Sequence, residues 1–208
     1  MFGNIYWRNR IVAAFTMNPF SSGRAVDDDT DFDEPDAFVS EHVPEPGPFL
    51  EGHDVLEGEA HVAVHETARE LFAERGVYDA TFGYNLARLN LDRRHPDAGY
   101  RYALDADDPS VLRAEFSPTT EFCPQAGALI KGSFRAWNGL SDRHEYDLVS
   151  VRVRPTHHQA ESLNESLEGL EMRYRESGDV PGESTGPGSA APLEREGDAD
   201  GTTDRFPF

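Results

Sequence analysis

Apolar positions in the middle of the chain follow a helical period first and a strand period next. The spacing after Asp54 predicts a helix near 55–75. Asp54 and Glu57 have the spacing of a capping box, and Gly76 suits a helix C-cap. The pattern therefore opens the folded part of the chain with an amphipathic helix.

Period-two alternation then predicts three short strands, at 86–91, 100–104 and 112–116. The segments 97–99 and 107–110 between them are rich in turn-forming residues, and two of the three strands are predicted to pair as a hairpin.

A second helix, a strand and a third helix complete the pattern. Pro124 suits the first position of the second helix, and Asn138 with Gly139 suits its end. Alternating valines predict a strand at 149–153, and spaced leucines after Pro155 predict the last helix. The order α-β-β-β-α-β-α predicts an α+β fold, a small mixed sheet of three to four strands with helices packed on one face.

The two ends of the chain differ from its middle in composition. Residues 1–45 and 177–208 are rich in acidic residues, Pro, Gly and Ser, and they bury too little apolar surface to offset the entropy of ordering. We therefore predict disordered acidic ends around one domain at 46–176. Residues 1–16 would be an upstream extension if translation starts at Met17.

Charge narrows the classes of function. The chain has 39 Asp and Glu against 19 Lys and Arg, a net charge of -20, and Lys131 is the only lysine. Nucleic acid is excluded as a partner because phosphate contacts need clustered basic residues. An acidic surface almost without lysine is expected of a salt-adapted organism, in which concentrated salt screens self-repulsion. Acidic ends alone explain part of the charge but not the missing lysines.

Cys123 is the only cysteine. It excludes an intrachain disulfide and a zinc site of the paired CxxC kind, and a lone thiol suits a reducing compartment. The apolar run 11–15 is too short for a secretory signal or a membrane span. We therefore expect a cytoplasmic protein with no membrane partner.

The position of Cys123 before Pro124 is the most informative local feature. If Pro124 is the first helical residue, Cys123 is the N-cap, where backbone N–H groups and the helix dipole favour a thiolate. Such a thiolate binds metal or attacks an electrophile. The alternative is that Cys123 is a small buried residue that happens to precede a helix.

The segment around Cys123 resembles a known family. Thr119, Cys123 and Pro124 match the Thr-x-x-x-Cys-Pro element of the SufT and PaaD type of iron–sulfur cluster assembly domain, an FSCA-like domain of metal–sulfur cluster biosynthesis. The resemblance covers about 60–175 and includes the predicted valine strand and closing helix.

A second stretch of the resemblance lies upstream. Asp79, Gly83 and Asn85 are in register with the family's Asp-Pro-Glu motif and the Leu-Gly-Ile-Asn-Ile that follows it. Ala80 and Thr81 stand where the family has Pro-Glu, and 92–99 is an insertion, so the chain resembles a divergent member.

The resemblance implies an accessory or carrier factor in the maturation of iron–sulfur proteins, without an active site of its own. Cys123 would contact iron or a partner's thiol, with Thr119 and Asp79 shaping its loop. Common clusters need four thiolates and the chain has one, so a transient cluster would be shared between two subunits of a homodimer or completed by a scaffold or apo-target protein.

Two other classes of function stay open at this stage. A Cys–His enzyme would need His144, His157 or His158 to meet Cys123 in space. A protein-binding module without metal would present an exposed aromatic patch, for which the candidates are Phe134, Trp137 and Tyr174.

His61 and His65 lie four residues apart on the first predicted helix. They lack a third metal ligand, so we expect them on the exposed or partly exposed surface of the helix.

Overall fold

The computed structural model describes residues 31–180. Three α-helices lie in this range: α1 (Gly58–Arg75), α2 (Ala126–Gly139) and α3 (Ala160–Ser177). The strands are β1 (Asp54–Val55), β2 (Tyr78–Asp79), β3 (Tyr84–Asn85), β4 (Gly99–Leu104), β5 (Val111–Ser117) and β6 (Leu148–Val153). Two 3-10 helices cover Leu86–Leu91 and Ser141–Arg143.

The main sheet has four strands in the order β1-β4-β5-β6. β4 and β5 form an antiparallel hairpin, as predicted for two of the strands, and β5 and β6 run parallel with α2 as their crossover. β2 and β3 form a separate two-stranded hairpin. The predicted α+β class with a small mixed sheet is confirmed.

The helices α1 and α2 cover one face of this sheet. Tyr100 and Tyr102 of β4 project into that layer, where Phe72 of α1 and Trp137 of α2 meet them edge to face. The hydroxyl groups of Tyr100 and Ser133 lie 2.6 Å apart, which satisfies both in the core. The apolar alternation of the strands therefore faces the helical layer.

The third helix lies beside α2 at the β6 edge of the sheet. Gly127 permits the close approach of α2 and α3, because a Cβ there would meet Leu163 Cδ2 at 3.1 Å. This contact accounts for a glycine inside α2 that would otherwise weaken the helix.

Charged residues dominate the opposite face of the sheet. Arg101 of β4, Glu115 of β5 and Arg152 of β6 are in register across it. We call residues 42–53, which cover this face, the strap. The N–H groups of Gly47 and Phe49 donate to the Glu115 carboxylate, and the Phe49 ring lies under the guanidinium of Arg113 at 4.0 Å.

The folded part of the chain starts before the predicted boundary at residue 46. Phe32 forms a bridge with Asp92, His42 binds Asp33, and Val43 is buried. The prediction of disorder is therefore wrong for 31–45, because a few apolar and aromatic side chains anchor an otherwise polar segment. The predicted C-terminal end at 177–208 also begins too early, because Ser177 is the last residue of the third helix and Val180 is buried. The rest of the predicted ends, at 1–30 and 181–208, lies outside the described residues.

Three asparagines complete the open edges of the sheet. In each case the side-chain oxygen accepts the N–H of one strand residue and the side-chain nitrogen donates to the C=O of the same residue. The pairs are Asn90 with Tyr100, Asn138 with Val149, and Asn164 with Val153. These bonds imitate a neighbouring strand and leave fewer unpaired backbone groups at the edges.

The predicted strand at 86–91 is wrong. Leu86–Leu91 is a 3-10 helix, which begins where the Asn85 side chain accepts the N–H of Ala87. Its buried Leu86 and Leu89 are three residues apart, the period of a 3-10 helix rather than of a strand.

The predicted capping box of α1 is also wrong, although Gly76 does end the helix with φ of 68°. Asp54 belongs to β1 and pairs with Leu104, so it cannot cap the helix.

Within 31–180, no helix is long and apolar enough to cross a membrane.

Candidate functional site

The segment 119–124, here called the cysteine loop, connects β5 to α2. Cys123 is a partly buried free thiol in this loop, and its neighbour Phe122 is 68 % exposed. The N-cap of α2 is Gln125, two residues beyond Cys123, and the helix starts at Ala126. The predicted position of Cys123 as N-cap is therefore wrong, because Pro124 and Gln125 form a turn before the helix.

Two histidines hold the backbone of the cysteine loop. His157 Nε2 lies 3.1 Å from the carbonyl oxygen of Cys123, and His158 Nδ1 lies 2.8 Å from that of Glu121. The His158 ring packs on Phe122, with 5.0 Å between the ring centroids. The loop is fixed through its carbonyl groups while Phe122 stays at the surface.

The hydrogen bonds of His157 define its tautomer. Its Nδ1 accepts the N–H of Gln159, so the proton is on Nε2, which donates to the Cys123 carbonyl. Both ring nitrogens are thus engaged with the backbone. His157 is not placed to act as a base for the thiol, and this geometry gives the Cys–His alternative no support.

Asp79 lies in the hairpin formed by β2 and β3 and is 6 % exposed. Its Oδ1 accepts the N–H groups of Thr81 at 2.7 Å and Phe82 at 3.1 Å. The carboxylate therefore shapes its own turn rather than the cysteine loop.

Gln125 joins the Asp79 hairpin to the end of the cysteine loop. Its Oε1 accepts the N–H of Ala80 at 3.1 Å, and its Nε2 donates to Thr81 Oγ1 at 3.0 Å. Ala80 and Thr81 stand where the SufT and PaaD type of domain, which this stretch resembles, has Pro-Glu. The residue that follows the cysteine loop is thus in contact with the turn of the Asp79 hairpin.

Thr119 lies at the other end of the cysteine loop. It lines a pocket of about 510 Å³ together with Ser117, Thr120, Arg154 and Thr156. Three carboxylate side chains, those of Glu45, Asp97 and Glu121, also line this pocket. Thr119 therefore belongs to a polar recess beside the loop.

The histidines of α1 are not at the surface. His61 and His65 are each 3 % exposed, so the prediction of an exposed helix face is wrong. Burial is the main cause that lowers the pKa of His61 to about 3 and that of His65 to about 4. The nearby charge of Arg101 also lowers the pKa of His61.

The predicted aromatic residues do not form an exposed patch. Phe134 and Trp137 are fully buried in the core, and Tyr174 packs edge to face on Phe134. The exposed large apolar residues in the described range are instead Tyr78, Phe122 and Met172.

No group of three or more His, Cys, Asp or Glu side chains in 31–180 is arranged to hold a metal ion. These residues do not fit a resident iron–sulfur cluster, since such a cluster needs several thiolates and Cys123 is alone.

Sequence reasoning missed Gln125 and the role of His157. Both act through bonds to the backbone of segments distant in sequence, and a glutamine or histidine carries no local signal for such bonds. The pair His157–His158 after Pro155 was visible, but its target was not.

The sequence model of a family described as Domain of unknown function (DUF7998) matches residues 30–181, well over half of the chain. The chain belongs to this family. The DUF7998 range extends beyond the predicted domain at both ends and includes the strap. No curated protein and no solved structure matches the chain.

Proposed function

We propose that this protein is a cytoplasmic accessory or carrier factor in iron–sulfur cluster assembly, which meets its partners through the cysteine loop. Cluster iron would be cargo, and Cys123 would supply one thiolate of a ligand set completed by a partner protein or a second copy of the chain.

The observation that carries this proposal is the contact made by Gln125. Ala80 and Gln125 are 45 positions apart in sequence, yet Gln125, which directly follows the cysteine loop, forms hydrogen bonds with Ala80 and Thr81 in the hairpin of Asp79. Both stretches resemble motifs of the assembly domain. Their meeting at one place supports a common site better than either match does alone.

The surface around this contact is suited to docking. Phe122 is beside Cys123, and Tyr78, 47 % exposed, is beside Asp79. Exposed aromatic residues on a backbone fixed by hydrogen bonds lose little entropy when a partner binds. A partner bound through them would lie next to the partly exposed thiol.

Affinity capture from the native cytoplasm, under anaerobic and high-salt conditions, tests this function. We expect the wild type to enrich cluster-binding proteins or assembly scaffolds and Phe122→Ala to lose them. Met172→Ala is the matched control, because Met172 is 60 % exposed on α3 and outside the loop. Equal capture by wild type and Phe122→Ala, or capture of proteins without clusters, would contradict the proposal.

A second candidate is a protein-binding module without metal, favoured by the exposure of Phe122. Cys123→Ser separates the two. If Cys123 supplies a ligand, the serine variant should capture the same proteins without their iron. If the loop only docks, the iron content of the captured proteins should be unchanged.

A further inference from the structure

Two arginines that line one pocket have no acidic partner among the described residues. Within 31–180 most arginine side chains lie within ion-pair distance of a carboxylate, as Arg94 does with Asp92 and Asp31. Arg69 and Arg88 form no ion pair with any described residue. In a chain with 39 acidic residues, two unpaired arginines in one place require an explanation.

Arg69 of α1 and Arg88 of the 3-10 helix line the same pocket, which has a volume of about 380 Å³. Phe32, Pro35 and Leu91 form its apolar walls. A pocket of this size accommodates a small organic molecule as well as a single inorganic ion.

Aromatic rings orient the guanidinium of Arg88. Its central carbon lies 4.0 Å from the centroid of the Phe32 ring and 5.8 Å from that of Tyr84. Stacking uses the flat face of a guanidinium and leaves the N–H donors in its plane available for a second partner. The guanidinium is thus packed against aromatic rings and forms no hydrogen bond with another residue in 31–180.

Two carboxylates, those of Asp33 and Glu34, also line this pocket, but neither forms an ion pair with Arg69 or Arg88. Asp33 Oδ2 lies 2.6 Å from His42 Nδ1, and Asp33 Oδ1 lies 4.0 Å from Arg93 Nε. Glu34 is exposed and forms no ion pair in the described range. Glu34 therefore adds one unpaired negative charge to the lining, and Arg69 and Arg88 are the two positively charged groups available to a bound anion.

We propose that this pocket binds a small organic anion through a phosphate or carboxylate group held between Arg69 and Arg88. A guanidinium and an oxyanion form charge-assisted, often bidentate hydrogen bonds, and the aromatic and aliphatic walls would contact the rest of the ligand. This site is independent of the cysteine loop, and its failure would leave the proposed function untouched.

Calorimetric titration with inorganic phosphate and with succinate tests the site, in KCl at constant ionic strength. We expect saturable binding of at least one of these anions by the wild type. Arg69→Gln and Arg88→Gln should each weaken it about tenfold or more, the loss expected for one charged hydrogen bond. Arg173→Gln is the matched control, since Arg173 is exposed on α3 and forms no ion pair in the described range.

The same titrations in a variant with Asp27, Asp28 and Asp29 changed to Asn repeat the test without this acidic run, which is close in sequence to Phe32. A midpoint of thermal unfolding within a few degrees of wild type, in a control buffer without either anion, would show that each variant is folded. Binding lost in the two arginine variants but kept in Arg173→Gln would support the site. Absence of saturable binding in both backgrounds, or equal affinity in all variants, would overturn it.

Discussion

At three places in this fold, an asparagine side chain forms the backbone hydrogen bonds that a neighbouring strand would otherwise form. Asn138 shows why this role cannot be predicted from the sequence. Its place at the end of a helical pattern predicts a helix stop, yet its side chain also forms hydrogen bonds with both backbone groups of Val149. A residue with the same identity at a surface C-cap would give the same local pattern.

Asn138→Ala should destabilise the protein by about 2–4 kcal/mol, because the N–H and C=O of Val149 would lose their partners while buried. Alanine is the better helix former, so local propensity predicts the opposite sign. Urea unfolding at fixed salt measures the change. A variant as stable as wild type would show that the edge of β6 needs no such partner.

Glycine substitutions give a second test at this scale. A Cβ on Gly47 would collide with the Glu115 carboxylate, so Gly47→Ala should cost about 1–3 kcal/mol as the strap lifts from the sheet. Gly169→Ala is the matched control. Gly169 is in α3 with open space around it, so alanine there should stabilise by up to about 1 kcal/mol. Equal effects in urea unfolding would contradict this assignment.

At the scale of elements, α1 illustrates what periodicity misses. The spacing of apolar residues predicts the helix and its end. The buried face of the helix, however, also includes His61 and His65, which are expected at the surface because they are polar. His61 is enclosed by Phe38 of the N-terminal segment and by Tyr102 of β4. Only the packed neighbours, distant in sequence, decide that these histidines are buried.

The two histidines should make the protein unstable in mild acid. Their ordinary pKa of 6.5 is lowered to about 3 and about 4 in the folded state. Below pH 6.5 the unfolded chain binds protons that the native state does not bind, so stability falls as the pH decreases towards 4. The expected loss is roughly 1.4 kcal/mol for each histidine and each pH unit.

Urea unfolding between pH 7 and pH 4.5 measures this slope. The double variant with His61→Phe and His65→Leu keeps the site apolar and should remove most of the dependence of stability on pH. The same slope in the double variant would show that other groups cause the acid sensitivity.

The hairpin of β4 and β5, the strand β6 and all three α-helices could be predicted from local patterns. The start of α2 could not be predicted, because Pro124 fits a turn before a helix as well as the first helical residue. The strap could not be predicted either, since it is anchored by Glu115, more than 60 residues away in sequence. The meeting of the Asp79 hairpin with the cysteine loop depended on Gln125, which has no local signature.

At the scale of the whole molecule, the distribution of charge stands out. Arg113 and Arg152 of the sheet lie against Phe49 of the strap, and Arg101 lies against Phe38, while the chain carries a net charge of -20. Like charges on the outer surface repel one another, and this repulsion opposes the compact state. The internal pairs of arginine with carboxylate or aromatic ring offset only part of it.

The thermal unfolding midpoint should therefore rise as KCl is increased from low to molar concentration, because salt screens the repulsion between carboxylates. Circular dichroism during heating measures it. Replacement of exposed Glu residues of α3, such as Glu161 and Glu165, by Gln should reduce the dependence. A midpoint that falls with added salt would mean that attractive pairs outweigh the repulsion.

Anaerobic reconstitution tests the proposed function most directly. Purified protein would be mixed with ferrous iron, sulfide and a small dithiol that supplies the missing thiolates, and then desalted. The account predicts protein-bound iron with the visible absorbance of a cluster in the wild type and little or none in Cys123→Ser. Equal iron in both proteins, or none in the wild type, would contradict a role for Cys123 in handling clusters.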